Sequence, residues 1–322
     1  MYKTSEAHKV CVEENLPQMM RFVDLHCDSV TACFDGGYAL ANAPLQVNLQ
    51  KLNEAECAAQ CFAIFADGKS AKADFEKYIN FFLASVRENN LTLVKSFDGL
   101  ISCAHSKKTG AMLTVENLGF TEGNEEEITA LKQKGVIMAS LVWNNENSLA
   151  YPNAVTRFSE RGLKKKGRET VNLLDSLKII VDISHLSDGG ADEILEGRKI
   201  PLVASHSNAR AVCGNPRNLT DEQIKKIADC GGVIGINFYK KFLGEGNAFD
   251  CVLRHLKHVI KIGGEEVISF GSDFDGIPRT AGLEGCEKMP KLTEFLAENI
   301  GVRAAEKLCF ENFARVLKEV VF

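Results

Sequence analysis

Hydrophobic residues in this chain fall in short apolar runs separated by longer stretches of helical period, and the two patterns alternate. Apolar runs that are β-rich or bounded by turn residues read as strands of a parallel sheet buried on both faces. They are predicted at Phe22–His26, Gln60–Phe65, Ala111–Glu116, Val136–Val142, Lys178–Ser184, Pro201–Ser205, Gly232–Phe238 and Val267–Ser272. Between them, helices are predicted at Ala73–Glu88, where Phe75, Tyr78, Phe82 and Val86 form one stripe, and at Glu125–Lys134, Lys165–Leu177, Ala191–Glu196, Asp221–Asp229 and Cys251–Lys261. Thr220-Asp221-Glu222-Gln223 has the form of a capping box, with a hydroxyl at the N-cap and an amide three residues on. Beyond the last strand, Leu292–Asn299, Val302–Leu308 and Asn312–Val321 read as closing helices.

Alternation of about eight strands with helices is the pattern of an α/β protein of the (β/α)8 TIM-barrel class. The chain has 322 residues, and the excess over the roughly 250 of a minimal barrel is assigned to loops and terminal helices. No Pro- or Ser-rich linker and no fixed-period repeat interrupts it. Residues 21–322 therefore read as one catalytic barrel domain with C-terminal helices, preceded by an N-terminal extension at residues 1–20.

A net charge of -5 gives no electrostatic reason to expect nucleic acid or an anionic membrane surface as partner. The longest apolar runs are strand-length, far short of the roughly 20 residues that span a bilayer. The first residues carry Lys3, Glu6, Lys9, Glu13 and Glu14 without an apolar stretch, so no secretory signal is read there. The eleven cysteines include no CxxC pair, and Cys57 and Cys61 read as small buried hydrophobes. Reduced thiols and a cytoplasmic location are the expectation.

Candidate chemistry appears at the strand ends. In Asp24-Leu25-His26-Cys27-Asp28, alternation puts His26 and Asp28 on one face and Cys27 on the other. Glu116, His185, His206 and Asp273 end or follow four further strands. In a parallel barrel those ends converge on one mouth, where active sites are built. Imidazoles with carboxylates suit zinc, with manganese, cobalt or iron on the same atoms, and this many donors exceeds the usual catalytic set of one zinc. Asp24, two residues deeper, and Asp182, out of phase with His185, read as structural carboxylates, and Asp275 before Gly276 as a turn residue. His255 and His258, beside Arg254 and Lys257, read as solvent-exposed. His8 and His105 have no supporting pattern. Arg217, in Asn215-Pro216-Arg217-Asn218, suits either a surface arginine or a bidentate anchor for a substrate carboxylate.

The ordered series Asp24-Leu25-His26-Cys27-Asp28, Val181-Asp182-Ile183-Ser184-His185-Leu186-Ser187, Ala204-Ser205-His206-Ser207, Pro216-Arg217-Asn218 and Gly271-Ser272-Asp273-Phe274-Asp275-Gly276 resembles the membrane (renal) dipeptidase family, peptidase M19 type. The resemblance runs over roughly residues 20 to 320 and includes Glu311-Asn312-Phe313-Ala314-Arg315-Val316. It implies a barrel of the metal-dependent amidohydrolase type and a binuclear zinc centre that hydrolyses dipeptides. His26 and Asp28 would bind one zinc, His185 and His206 the other, and Glu116 would bridge them. Asp273 would be the acid/base working with a metal-bridging hydroxide, and Arg217 the carboxylate anchor. Mammalian members carry a substrate-contacting His where this chain has Trp143, which looks like the bacterial branch and makes Trp143 a substrate-binding candidate. The sequence leaves monomer and homodimer both open. Rival readings are another amidohydrolase-type hydrolase (deacylase, lactonase or phosphoesterase), whose members usually open with His-x-His, and a non-catalytic metal-binding scaffold.

Overall fold

Among the described residues nine strands alternate with helices: β1 (Val23–Cys27), β2 (Ala59–Phe65), β3 (Thr92–Leu93), β4 (Gly110–Glu116), β5 (Val136–Ser140), β6 (Ile180–Asp182), β7 (Val203–Ala204), β8 (Val233–Ile236) and β9 (Ile268–Phe270). They belong to a computed structural model that describes residues 20–321, so the expected extension lies, apart from Met20, outside the described residues. Every pairing is parallel, and the order β2-β1-β9-β8-β7-β6-β5-β4 closes on itself where Phe62 of β2 stands opposite Leu113 of β4. The result is a closed eight-stranded parallel barrel of the (β/α)8 class, and each stave coincides with a predicted run. The extra strand, β3, pairs with the start of β4 and at two residues is too short to carry a period.

Strands β5 to β9 stop earlier than their predicted runs, and at β6 the reason is local. After Asp182 the carboxylate itself takes the next backbone donors, with Oδ1 accepting from Ser184 N and Ser205 N at 2.9 Å each. Side chain thus replaces ladder. The helices at Glu125–Lys134 and Asp221–Asp229 stand where their patterns place them, and Thr220 and Gln223 form both halves of the capping box. The reading lacks Ser29–Gly36, Leu49–Glu54 and Phe97–Ser106, each of ten residues or fewer. The last two do carry local signals, since Asn48 and Ser96 side chains cap them by accepting from Lys51 N and Gly99 N. At the chain end, helix Asn312–Val320 buries Phe313, Leu317 and Val320 in a cluster with Leu25, Cys61 and Val233, tying the terminus to the barrel. The ten described cysteines are free thiols, and nine of them are buried.

His255 corrects the expectation of exposure. It sits fully buried on the inner face of helix Ala248–Gly263, where Nδ1 accepts from Ala209 N at 3.1 Å and Nε2 donates to the Leu243 carbonyl at 3.2 Å. Two polar neighbours in sequence masked an inward position. His258 instead pairs with Asp221 near the surface at 2.7 Å. Burial pushes the His255 imidazole down to about 4 from its ordinary 6.5. The unfolded chain therefore takes up a proton near 6.5 that the folded one refuses until about 4, so this contribution is intact above about 6.5 and is lost as pH falls toward 4. The loss is expected to be about 3 kcal/mol. Denaturant titrations at pH 7 and 5 should show a shallower pH slope for His255→Gln than for wild type, and equal slopes would exclude the effect.

Candidate metal centre and substrate cavity

His26 is supplied by β1, and Asp28 follows it at the start of helix Ser29–Gly36. Glu116 ends β4, while His185, His206 and Asp273 follow β6, β7 and β9. All stand at the C-terminal mouth of the barrel, where parallel staves deliver side chains from different strands to one place. His26 Nε2 lies 3.3 Å from Asp28 Oδ2, 3.9 Å from Glu116 Oε2 and 3.9 Å from Asp273 Oδ1. The other Glu116 oxygen, Oε1, lies 2.9 Å from His185 Nε2 and 3.6 Å from His206 Nε2. One carboxylate thus spans two clusters of donors.

The proton positions on the second cluster follow from its partners. His185 Nδ1 faces Asn144 Oδ1 at 3.1 Å, an oxygen that only accepts, so the ring proton is on Nδ1. Ser205 Oγ donates to Asp182 Oδ2 and therefore accepts from His206 Nδ1 at 2.7 Å. Both rings turn unprotonated Nε2 atoms toward Glu116, and those two nitrogens lie 2.9 Å apart. Burial, with Arg217 and His26 nearby, holds both imidazoles well below their ordinary range, hence neutral. Two lone pairs and a carboxylate oxygen that meet without a proton to share form a donor set that fits a cation.

The first cluster makes the same demand differently. Burial pulls His26 down, yet the carboxylates of Asp28, Glu116 and Asp273 outweigh it and raise the imidazole to about 10. Positive charge is what three buried carboxylates require. His26, Glu116 and His206 form one set of donor atoms within 4.8 Å of one another, and His26, Asp28 and Asp273 form another.

Asp273 differs from the other carboxylates in what supports it. Its backbone takes the left-handed conformation, φ +64°, and Asn237 Nδ2 donates to its Oδ2 at 2.8 Å. Burial, reinforced by Asp28, pushes it up to about 6. Such a carboxyl exchanges protons readily near neutrality. Gly276 packs directly over this pair: a Cβ there would come 2.0 Å from Asp28 Oδ2 and 2.7 Å from Asp273 Oδ1. Gly276→Ala is therefore expected to displace both carboxylates and to lower metal content on the His26 side, as measured by elemental analysis. Unchanged content would show that the loop yields instead.

Asp24 and Asp182 are the buried structural carboxylates expected. Asp24 accepts from Ser272 N and Oγ and from Gln60 Nε2. Asp275 occupies a turn with φ +67° and also fastens a second segment, accepting from Gln46 N, Val47 N and Ser29 Oγ.

A cavity of about 300 Å³ opens over the donors, bounded by Phe65, Trp143, Arg217, Tyr239 and Phe242. Arg217 is buried, its guanidinium 5.4 Å from the Phe242 ring centre, with Nη2 reaching the His206 carbonyl at 3.4 Å. Its Nε and Nη1 have no partner. Unmade hydrogen bonds from a buried cation are costly, so these donors fit an anionic ligand group. Trp143 packs against Phe65 with ring centres 4.5 Å apart and planes tilted by 54°, and stands 6.4 Å from the His185 ring. The sequence reading lacks Asn144, Asn237, Ser205 and Phe65. Asn237 had a usable signal, as a polar residue following the apolar stave Val233–Ile236, whereas Phe65 had none.

A closed parallel barrel with histidines and carboxylates gathered at one mouth defines a metal-dependent hydrolase. The sequence matches the membrane dipeptidase family, peptidase family M19, over residues 12–322, and the chain belongs to that family. An uncharacterized protein of the pqqA 5′ region from Klebsiella pneumoniae is 32% identical over 243 residues, 71% of this chain and 89% of that one. The chain spans 52% and 58% of two uncharacterized dipeptidases of Schizosaccharomyces pombe. Among solved structures, dipeptidase AC, an M19 metallopeptidase, superposes with a TM-score of 0.88 at 24% identity over 94% of this chain and 99% of that one. A metallopeptidase from Rhodobacter sphaeroides, bound to a phosphinate mimic of the dipeptide L-Ala-D-Ala, gives 0.81 at 23% over 94% and 100%. No helix among the described residues is long and apolar enough to cross a membrane.

Proposed function

We propose that this chain hydrolyses the peptide bond of dipeptides at a binuclear centre of two Zn²⁺, with Mn²⁺, Co²⁺ and Fe²⁺ as ions of the same donor preference. One observation carries the reading: a buried guanidinium with unpartnered Nε and Nη1 opens onto the same small cavity as the metal donors. His26 and Asp28 would hold one ion and His185 and His206 the other, with Glu116, whose two oxygens face the two clusters, available to both. When bound, such ions polarise a carbonyl and bring the ionisation of water from about 15.7 toward about 7. Asp273 takes a proton from the attacking water and returns it to the leaving nitrogen, steadied by Asn237 on Oδ2. Arg217 holds the free carboxylate of the second residue, which limits substrates to very short peptides. Trp143 and Phe65 wall the cavity against substrate.

The phosphinate dipeptide mimic in the Rhodobacter sphaeroides protein supports this substrate class and directs the test to both stereochemistries. Elemental analysis should return two divalent ions per chain, and a panel of L,L and L,D dipeptides should be cleaved, with activity lost to a chelator and restored by zinc. Metal-loaded protein inert toward the whole panel would overturn the proposal. We take residues 21–322 as one catalytic domain. The free thiols favour a reducing compartment, the cytoplasm.

A further inference from the structure

Beneath the second cluster lies a chain of hydrogen bonds whose direction is fixed at one end. Asp182, Ser205 and His206 are all buried. Asp182 Oδ1 is engaged by Ser184 N and Ser205 N, and Oδ2 accepts the Ser205 hydroxyl at 2.5 Å. A carboxylate only accepts, so the hydroxyl proton points to Asp182 and Ser205 Oγ offers His206 Nδ1 nothing but a lone pair, at 2.7 Å. Ser184 Oγ lies 3.3 Å from Ser205 Oγ and accepts from the His206 backbone N at 3.2 Å, holding the same turn. His185, by contrast, is oriented by the neutral amide of Asn144, which lines the open cavity.

We propose that Asp182, acting through Ser205, fixes the ring proton of His206 on Nδ1 and thereby keeps Nε2 available to a metal ion. The inference rests on the metal-centre reading above. Asp182 and Ser205 are positioning residues, remote from substrate. The direction of the chain gives a specific consequence. In Asp182→Asn the oxygen keeps the two backbone donors and the amide turns toward Ser205 Oγ. The hydroxyl then donates to His206 Nδ1, the ring proton moves to Nε2, and the metal-facing lone pair is lost.

The test compares wild type, Ser205→Ala and Asp182→Asn by zinc competition against a chromophoric chelator. Long-range ¹H–¹⁵N spectra of the histidine rings in metal-free protein report the tautomer, and circular dichroism checks the fold. Ser205→Ala, which removes one oxygen, is expected to fold, to bind one zinc as wild type does, and to bind the second about 10–100-fold more weakly. Asp182→Asn is expected to show the Nε2–H form of His206 and a larger loss. The proposal is overturned if Ser205→Ala binds both ions with wild-type affinity and leaves the His206 tautomer unchanged, a result that decides the matter even where Asp182→Asn does not fold. Wild-type protein that binds no zinc would refute the metal-centre reading instead, and the tautomer in metal-free protein then judges the relay alone.

Discussion

Asp273→Asn is expected to retain both metal ions and lose turnover by about 10²–10⁴-fold, the range typical of a removed general acid/base. The substitution is unusually clean for this position. Asp273 sits at φ +64°, and asparagine is among the few residues that tolerate that left-handed conformation. The amide oxygen of the variant can still accept from Asn237, so the side chain keeps its place while losing its charge and its proton affinity. Asp28 Oδ2 and Asp273 Oδ1 stand 3.3 and 3.9 Å from His26 Nε2, so both carboxylates are within reach of an ion there, and the proposed division into ligand and proton carrier is what the variant tests. Two measurements separate the roles. Elemental analysis should be unchanged while kcat falls; retention of near-wild-type kcat would remove Asp273 from proton transfer, and loss of an ion would make it a ligand.

The barrel was legible because the buried staves are short, mainly apolar runs set between helical stretches, and His26 and Glu116 because each stands within a strand whose side-chain alternation can be counted. His185 was harder. By strict alternation it falls out of phase with Asp182, and it reaches the mouth only because the chain leaves the ladder after Asp182 and His185 takes φ +70°. Asp273 likewise lies three residues past the end of β9, placed by a turn rather than by pleat. Left-handed positions of this kind store strain at a site and carry no hydrophobic period, so the sequence marks the residue type and not its direction. The supporting residues were less legible still. Ser205 looks like the ordinary polar end of a predicted strand and Asn144 like a loop residue, and only their partners, His206 and His185, show what they do. His255 shows the reverse error, in which exposed neighbours disguised a residue fully inside the fold.

Arg217→Ala is expected to lower kcat/KM for dipeptides by about 10²–10⁴-fold, because two charge-assisted hydrogen bonds contribute roughly 1.5–3 kcal/mol each and act together on one carboxylate. Most of the effect should fall on KM, since the carboxylate lies at the far end of the substrate from the reacting carbon. Arg217→Lys should recover only part of the loss: an ammonium restores charge but cannot present the planar fork of N–H donors that a guanidinium offers a carboxylate. The substrate can be altered to match. A dipeptide amide lacks the anionic group, so wild type should cleave it poorly and Arg217→Ala should scarcely distinguish amide from acid. Metal content should not fall in either variant, because Arg217→Ala relieves a repulsion between the guanidinium and the cations and Arg217→Lys leaves the charge as it was. An unchanged KM for the acid, or equal discrimination between acid and amide in wild type and variant, would detach the guanidinium from the substrate carboxylate and reopen the question of what excludes longer peptides.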